Sequence, residues 1–225
     1  MPTRAHFTTM SETRNIKRTP LPEPTLRRLP WYLAYVRTLH SRQEQYVSST
    51  QVAKAINVNA AQFAKDLSYL GIKGKPRIGY ETRTLMQRLV DTLGFKLKHN
   101  AVVVGAGSLG GALMQDMGLS QYGLSIVAGF DVNPALTGTA ICGIPIYEVG
   151  QLAERCRQFE ATIAILTVPV EFAQQAADAA VLSGIKSIWN FTPVRIVVPP
   201  HVVVVDTPIY ADLALLYNRA TGNVK

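Results

Sequence analysis

Apolar residues recur at helical spacing over residues 25–41, with Leu29, Leu33, Val36 and Leu39 on one stripe. Pro30 falls within the first two turns of that stretch, which predicts a start nearer residue 29. The preceding Leu21-Pro22-Glu23-Pro24 reads as an extended lead-in. In Val47-Ser48-Ser49-Thr50-Gln51-Val52, Ser48 and Gln51 form a capping-box pattern and Val47 and Val52 can staple around it. The pattern then predicts a short helix to Ile56, a polar turn Asn57-Val58-Asn59, and a second helix over 60–70 stopped by Gly71. Two short helices across a three-residue turn make a helix-turn-helix candidate.

The second of these helices has two distinct stripes. Ala60, Phe63, Ala64, Leu67 and Leu70 form the inward one. Gln62, Lys65, Asp66 and Tyr69 stand at i, i+3, i+4 and i+7 on the other, which offers donors and acceptors to base edges and phosphates. Asp66 is the exception there, since phosphate repels a carboxylate; holding a basic side chain in place suits it better. Beyond the helix, residues 72–80 carry Lys73, Lys75, Arg77, a proline and two glycines between apolar residues, which predicts a β-hairpin with a basic tip. Helix-turn-helix plus basic hairpin describes a winged helix. A small helical domain with a surface turn is the alternative. Residues 82–97 read as a helix leading onward.

The second half alternates strands and helices. Ala101-Val102-Val103-Val104 has the character of a buried parallel strand and runs into Gly105-Ala106-Gly107-Ser108-Leu109-Gly110 and a helix. Gly105 permits the tight turn, Gly107 lets the backbone approach a pyrophosphate, and Gly110 lets the helix pack on the strand. The helix N-terminus offers free N–H groups to the phosphates. A second strand, 124–130, ends in Asp131, 21 residues after Gly110, where a carboxylate can accept from ribose hydroxyls. It would repel a 2′-phosphate, so NAD(H) is favoured over NADP(H). Helices over 148–159, 171–183 and 209–219 and strands over 161–168, 185–191 and 202–205 complete a doubly wound α/β pattern. Strand ends place Thr167-Val168-Pro169 and Asn190-Phe191-Thr192-Pro193 near the cofactor. A related domain that has lost its ligand is the alternative.

Charge divides the chain in the same way. Residues 1–95 hold 15 Lys/Arg and 6 Asp/Glu, net +9, whereas residues 96–225 hold 8 and 9, net −1. A basic half beside a near-neutral one suggests a polyanion partner for the front, or simple solubilisation. Residues 1–20 are polar, without apolar periodicity, and read as a disordered basic tail. No apolar run is long enough for a transmembrane helix, the N-terminus does not read as a signal peptide, and Cys142 and Cys156 read as reduced thiols of a cytoplasmic protein. No metal-ligand spacing occurs. His99 and His201 precede strands, at the edge of the sheet away from the ligand, so no acid/base for hydride transfer is evident.

Arg28-Leu29-Pro30, Val47-Ser48-Ser49, Lys65-Asp66-Leu67-Ser68-Tyr69, Gly79-Tyr80, the glycine loop, Phe130-Asp131-Val132, Leu166-Thr167-Val168-Pro169 and Asn190-Phe191-Thr192-Pro193 occur in order. Together they resemble the redox-sensing transcriptional repressors called Rex, over roughly residues 21–220. The resemblance implies a winged-helix DNA-binding domain over 21–95, a Rossmann NAD(H)-binding domain over 96–207 and a dimerisation helix over 208–225. That helix is exchanged between the subunits of a homodimer. It implies a repressor that binds operator DNA and is released by NADH. The DNA-binding residues would be Ser49, Gln62, Lys65, Tyr69, Lys73, Lys75 and Arg77. The cofactor would meet Gly105 to Gly110, Asp131, Val132, Thr167, Val168, Pro169, Asn190 and Thr192. Tyr210 would face the partner's nicotinamide or sit in the dimer core. The chain departs from the best-known members at Ala64, where a first basic residue often stands, and at Pro76-Arg77-Ile78, which displaces an arginine from before a glycine. It also departs at Asp116, Ala34 and Pro208, which match an interdomain tyrosine, arginine and aspartate of some members. An NAD-dependent oxidoreductase with an accessory basic domain, and a DNA-binding scaffold that only dimerises, are the rival readings.

Overall fold

The structure, a computed structural model, describes residues 21–207 and 209–223. The expectations for residues 1–20 and for Pro208 lie outside the described residues. The chain divides into two compact units, one ending at Leu93 and one beginning at Gly94.

The first unit contains α1 (Glu23–Ser41), β1 (Tyr46–Val47), α2 (Ser49–Ala55), α3 (Ala60–Tyr69), β2 (Tyr80–Glu81) and α4 (Thr82–Leu93). Leu29, Leu33, Val36 and Leu39 line the buried side of α1, as their spacing dictates. The helix begins at Glu23 rather than near residue 29 and runs through Pro30. Thr25 and Arg28, both before the proline, bond to Asp66 of α3. Tertiary anchoring thus holds the turn that a proline would otherwise release.

Ser48 caps α2 by accepting from the Gln51 N–H at 3.1 Å. The return half of the capping box is replaced, because the Gln51 amide donates to Glu44 instead. Asn59 caps α3 through the Ala61 N–H. At its other end the Gly71 N–H donates to Ser68 O and the Ile72 N–H to Leu67 O, with Gly71 at φ +68°. This paired closure satisfies the last carbonyls of α3.

The basic segment is not a two-stranded hairpin. It is a tight turn with one bridge, Lys75 to Gly79, and Arg77 at φ +64°. The antiparallel pairing lies at its base, Val47 opposite Tyr80 and Tyr46 opposite Glu81. Gly79, at φ +100°, has no room for a Cβ against the Val47 backbone. Tyr32, Phe63 and Tyr80 stack edge to face in the core, centroids 4.9 and 5.6 Å apart. The fourth helix stops at Leu93 rather than 97, with Gly94 left-handed behind it.

The second unit contains β3 (His99–Val104), α5 (Ser108–Gln115), α6 (Gly118–Gln121), β4 (Leu124–Asp131), β5 (Ala140–Ile141) and β6 (Ile144–Glu148). It continues with α7 (Leu152–Gln158), β7 (Ile163–Leu166), α8 (Ala173–Leu182), β8 (Ser187–Asn190), β9 (Val203–Asp206) and α9 (Ile209–Ala220). The sheet order is β5-β6-β4-β3-β7-β8-β9. All neighbours are parallel except β5 and β6. Omitting β5, this is the doubly wound order of dinucleotide-binding sheets, reversing direction between β3 and β7. Ala101, Val102 and Val103 are fully buried, as a central strand covered on both faces requires.

The β5–β6 hairpin was not expected. Its turn, Cys142-Gly143, has both residues at positive φ, +49° and +80°, the geometry of a two-residue hairpin connection. Short 3₁₀ turns at Val149–Gln151 and Val170–Phe172 precede α7 and α8, so both α-helices start later than their apolar pattern suggests. Both cysteines are free, and burial pushes the Cys156 thiol up to about 11. Among the described residues no helix is long and apolar enough to cross a membrane.

Candidate functional site

Strand register sets the site. Phe130, Val104, Leu166, Asn190 and Asp206 occupy one row across β4, β3, β7, β8 and β9, so the loops that follow them leave the sheet along one edge. A cleft of about 950 Å³ opens over that edge, at the switch point between β3 and β7.

The glycine loop forms one wall. Gly105 has φ +96°, and a Cβ there would meet the Thr167 backbone at 2.9 Å. Thr167 Oγ1 donates to Gly105 O at 2.6 Å and so ties the loop to the end of β7. A Cβ on Gly110 would strike Thr167 Oγ1 and Val103, hence the close approach of α5 to β3. Gly107 differs. Its φ is −65°, which any residue can adopt, and a Cβ there would meet nothing of the protein within 4 Å. It lines the cleft, so a side chain would occupy ligand space alone. Neither backbone strain nor packing asks for glycine here. A phosphate approaching this point would meet no side chain and would find the first-turn N–H groups of α5 as donors.

Asp131 forms the opposite wall at the end of β4. Its Oδ2 accepts from the Ala106 N–H at 2.7 Å and its Oδ1 from the Asn133 N–H at 2.8 Å. A carboxylate has about four lone-pair sites. About two therefore remain for ribose hydroxyls. Among the described residues the cleft lining contains no Lys, Arg or His; Asp131 and Glu171 are its charged members there. The donor set fits an NAD-type dinucleotide, whose phosphates the positive end of α5 would attract.

Of the sequence-predicted residues, Gly105, Gly107, Leu109, Asp131, Val132, Thr167, Val168, Pro169, Thr192 and Tyr210 line this cleft. Ala106 is buried behind it and Gly110 is buried at the start of α5. Ser108 is exposed as the first residue of α5. Asn190 does not reach the cleft. It is wholly buried, donates to Val194 O and Asp206 Oδ1, and accepts from the Thr192 N–H and Oγ1. Its place at the strand end serves to shape the 191–194 loop. Sequence reasoning missed Leu136, Phe172 and Gln175, which follow β4 or open α8 and also line the cleft. Phe172 stays half exposed in a 3₁₀ turn, outside any apolar periodicity.

In the first unit, Lys65 and Tyr69 stand exposed on α3, and Lys73, Lys75 and Arg77 are exposed at the basic turn. Ser49 is half-buried at the start of α2. The Lys75 ammonium lies 5.3 Å from the centroid of the Tyr46 ring.

Asp66 is not on this outer face. It is completely buried and accepts five hydrogen bonds. Thr25 Oγ1, Arg28 Nη2 and Gln62 Nε2 donate to Oδ1, at 2.9, 2.8 and 2.8 Å. Arg28 Nε and Tyr32 OH donate to Oδ2, at 2.7 and 2.6 Å. Burial works to raise the Asp66 pKa, but hydrogen bonds from Arg28, Tyr32, Gln62 and Thr25 outweigh it and hold the carboxyl at about 2. The same cluster raises the Arg28 guanidinium pKa through the bond to Asp66, and that of the Tyr32 phenol through burial and its own bond to Asp66.

Comparison with known proteins assigns the chain. The model described as "CoA binding domain" matches residues 97–194, and the one described as "Putative DNA-binding protein N-terminus" matches residues 20–68. The redox-sensing transcriptional repressor Rex of Bacteroides fragilis is 53% identical over 205 residues, covering 91% of this chain and 93% of that protein. The chain belongs to the Rex family. Rex of Treponema denticola is 39% identical over 193 residues, covering 86% of this chain and 92% of that protein. A crystal structure of RSP in complex with β-NAD⁺ and operator DNA superposes with a TM-score of 0.86 at 30% identity, covering 91% of this chain and 94% of that one. RSP in complex with β-NADH gives 0.81 at 29% identity, covering 91% and 96%. A Rex-family member therefore carries both the glycine-loop cleft and the exposed basic turn described above.

Proposed function

We infer that this chain is a transcriptional repressor that binds operator DNA and senses the NADH/NAD⁺ ratio, NADH binding releasing the DNA. The observation that carries this reading is the likeness, across both halves of the chain, to RSP, solved with β-NAD⁺ and operator DNA together. The cofactor supplies a redox-dependent charge, since the oxidised nicotinamide is cationic and the reduced one neutral. Gly105, Ala106, Gly107, Ser108, Leu109 and Gly110 hold the pyrophosphate, and Asp131 with Val132 holds the adenosine ribose. Thr167, Val168, Pro169, Thr192 and Tyr210 line the remainder. Coenzyme A fits less well, because its ribose bears a 3′-phosphate that the Asp131 carboxylate would repel.

On DNA, α3 is the reading helix, with Lys65 and Tyr69 outward, Gln62 half-buried next to them and Ser49 beside it. Lys73, Lys75 and Arg77 contact the backbone from the turn. The functional unit is a homodimer in the cytoplasm. Its C-terminal helix is exchanged, which accounts for α9 having no buried residue. The protein acts as a regulator and not as an oxidoreductase; steady NADH consumption with small carbonyl compounds would overturn that part.

The switch requires NADH to bind the DNA-incompetent state better than NAD⁺ does. A 100-fold change in DNA affinity needs only about 2.7 kcal/mol of coupling. Titration of duplex DNA at fixed salt, with NADH and with NAD⁺, tests it: NADH is expected to weaken binding by about that factor. Equal affinities under both would refute the sensor.

A further inference from the structure

We propose that Gln62 is a specificity-determining residue whose amide is locked by Asp66 so that it presents its carbonyl oxygen, as an acceptor, to the base edges. The proposal rests on α3 being the reading helix. Gln62 stands half-buried one turn before the wholly buried Asp66 on α3, between the helix's packed side and its exposed face. Its Nε2 lies 2.8 Å from Asp66 Oδ1. Which end of a glutamine amide faces a neighbour is fixed by what that neighbour can do. An ionised carboxylate only accepts. Asp66 stays ionised because Arg28, Tyr32 and Thr25 donate to it from α1. The amide nitrogen must therefore face inward.

The amide is planar, so Oε1 lies on its other arm. Oε1 accepts no hydrogen bond among the described residues, and it is not among their fully buried unpartnered atoms, so this half-buried side chain keeps part of that oxygen accessible. A free glutamine can turn either end to a base and match amino or keto groups alike. A locked one offers an acceptor. In the major groove it suits the exocyclic amines of adenine N6 and cytosine N4, and is repelled by guanine O6 and thymine O4. Asp66, itself hidden from DNA, is then a positioning residue that sets what α3 reads.

The test is selection from a duplex pool with a randomised core, with the bound fraction sequenced, for the full-length wild type and for Gln62→Ala and Asp66→Asn. The wild type is expected to favour an amino base over a keto base about fivefold or more at one position of each half-site. In Gln62→Ala that preference should vanish while the rank order elsewhere is kept. In Asp66→Asn, whose side chain can both donate and accept, the position should admit amino and keto bases alike. A merely structural Asp66 would instead weaken all positions together. If Asp66→Asn does not fold, Gln62→Ala decides alone. An unchanged preference, or the loss of a keto preference, overturns the proposal. A wild type that binds no duplex at all would instead sink the DNA-binding reading.

Discussion

Asp66 is completely buried and accepts five hydrogen bonds, two of them from the Arg28 guanidinium. Periodicity placed Asp66 on the polar stripe of α3, since a carboxylate scores as surface. Its five donors come from α3 and, 34 to 41 positions away, from α1. The available signal was Thr25, Arg28 and Tyr32, a polar line at helical spacing beside α1's apolar stripe. The consequence for stability has a definite sign. The folded carboxyl sits at about 2 against an ordinary 3.8, so its contribution is complete above about pH 4 and is lost as pH falls towards 2. That shift corresponds to about 2 kcal/mol. Acid unfolding followed by circular dichroism should show this loss between those values, and Asp66→Asn should remove it; an identical acid profile in the variant would contradict the assignment. Gly107, by contrast, has a local setting: its φ is ordinary and a Cβ there meets nothing within 4 Å, so the pyrophosphate role expected of it is testable by adding a side chain. Gly107→Ala is expected to leave the melting temperature of the ligand-free protein within a degree or two, since the added Cβ meets nothing within 4 Å. It should weaken NADH binding by at least tenfold in calorimetry. Undiminished affinity would place the pyrophosphate elsewhere.

At the scale of elements, those built from a local rule were legible and those decided by distant contacts were not. The closure of α3 at Gly71 and the buried run of β3 follow from positive φ and from burial on both faces. The start of α1 was misjudged because Pro30 is locally unfavourable and its compensation comes from α3. The β5–β6 hairpin was missed because Cys142 occupies a left-handed position usually held by Asn, Asp or Gly. The basic turn carries a similar exception. Arg77 sits at φ +64°, a conformation that costs a side-chain-bearing residue about 1 kcal/mol. Arg77→Gly should therefore fold at least as stably as the wild type. It should still bind DNA more weakly, with the salt dependence of log K reduced by about one unit. Unchanged salt dependence would remove Arg77 from the phosphate contacts. The parallel variant Lys65→Ala tests α3 by the same readout.

At the scale of the molecule, α9 is the element that one chain leaves unexplained. It is 12 residues long and carries Ile209, Tyr210, Leu213, Leu215, Leu216 and Tyr217, all exposed. A helix with this much apolar surface gains little from water, and a monomer rarely displays such a patch without a partner. Burial against a second copy accounts for it, and Ile209 and Tyr210 already line the mouth of the cofactor cleft. Dimerisation also supplies what a single reading helix lacks. With α3 as the proposed reading helix, one copy would reach one half-site, whereas two related by a twofold axis would reach half-sites one helical turn apart. Linking two weak contacts multiplies affinity through effective concentration. The double variant Leu216→Asp, Tyr217→Asp should thus do two things together. Sedimentation should show a monomer where the wild type is a dimer. Affinity for a two-half-site duplex should fall at least a hundredfold, towards that for a single half-site, which itself should change little. If the variant stays dimeric, the interface lies elsewhere on the chain. If it becomes monomeric but binds the full site as before, the two reading helices are not coupled through α9.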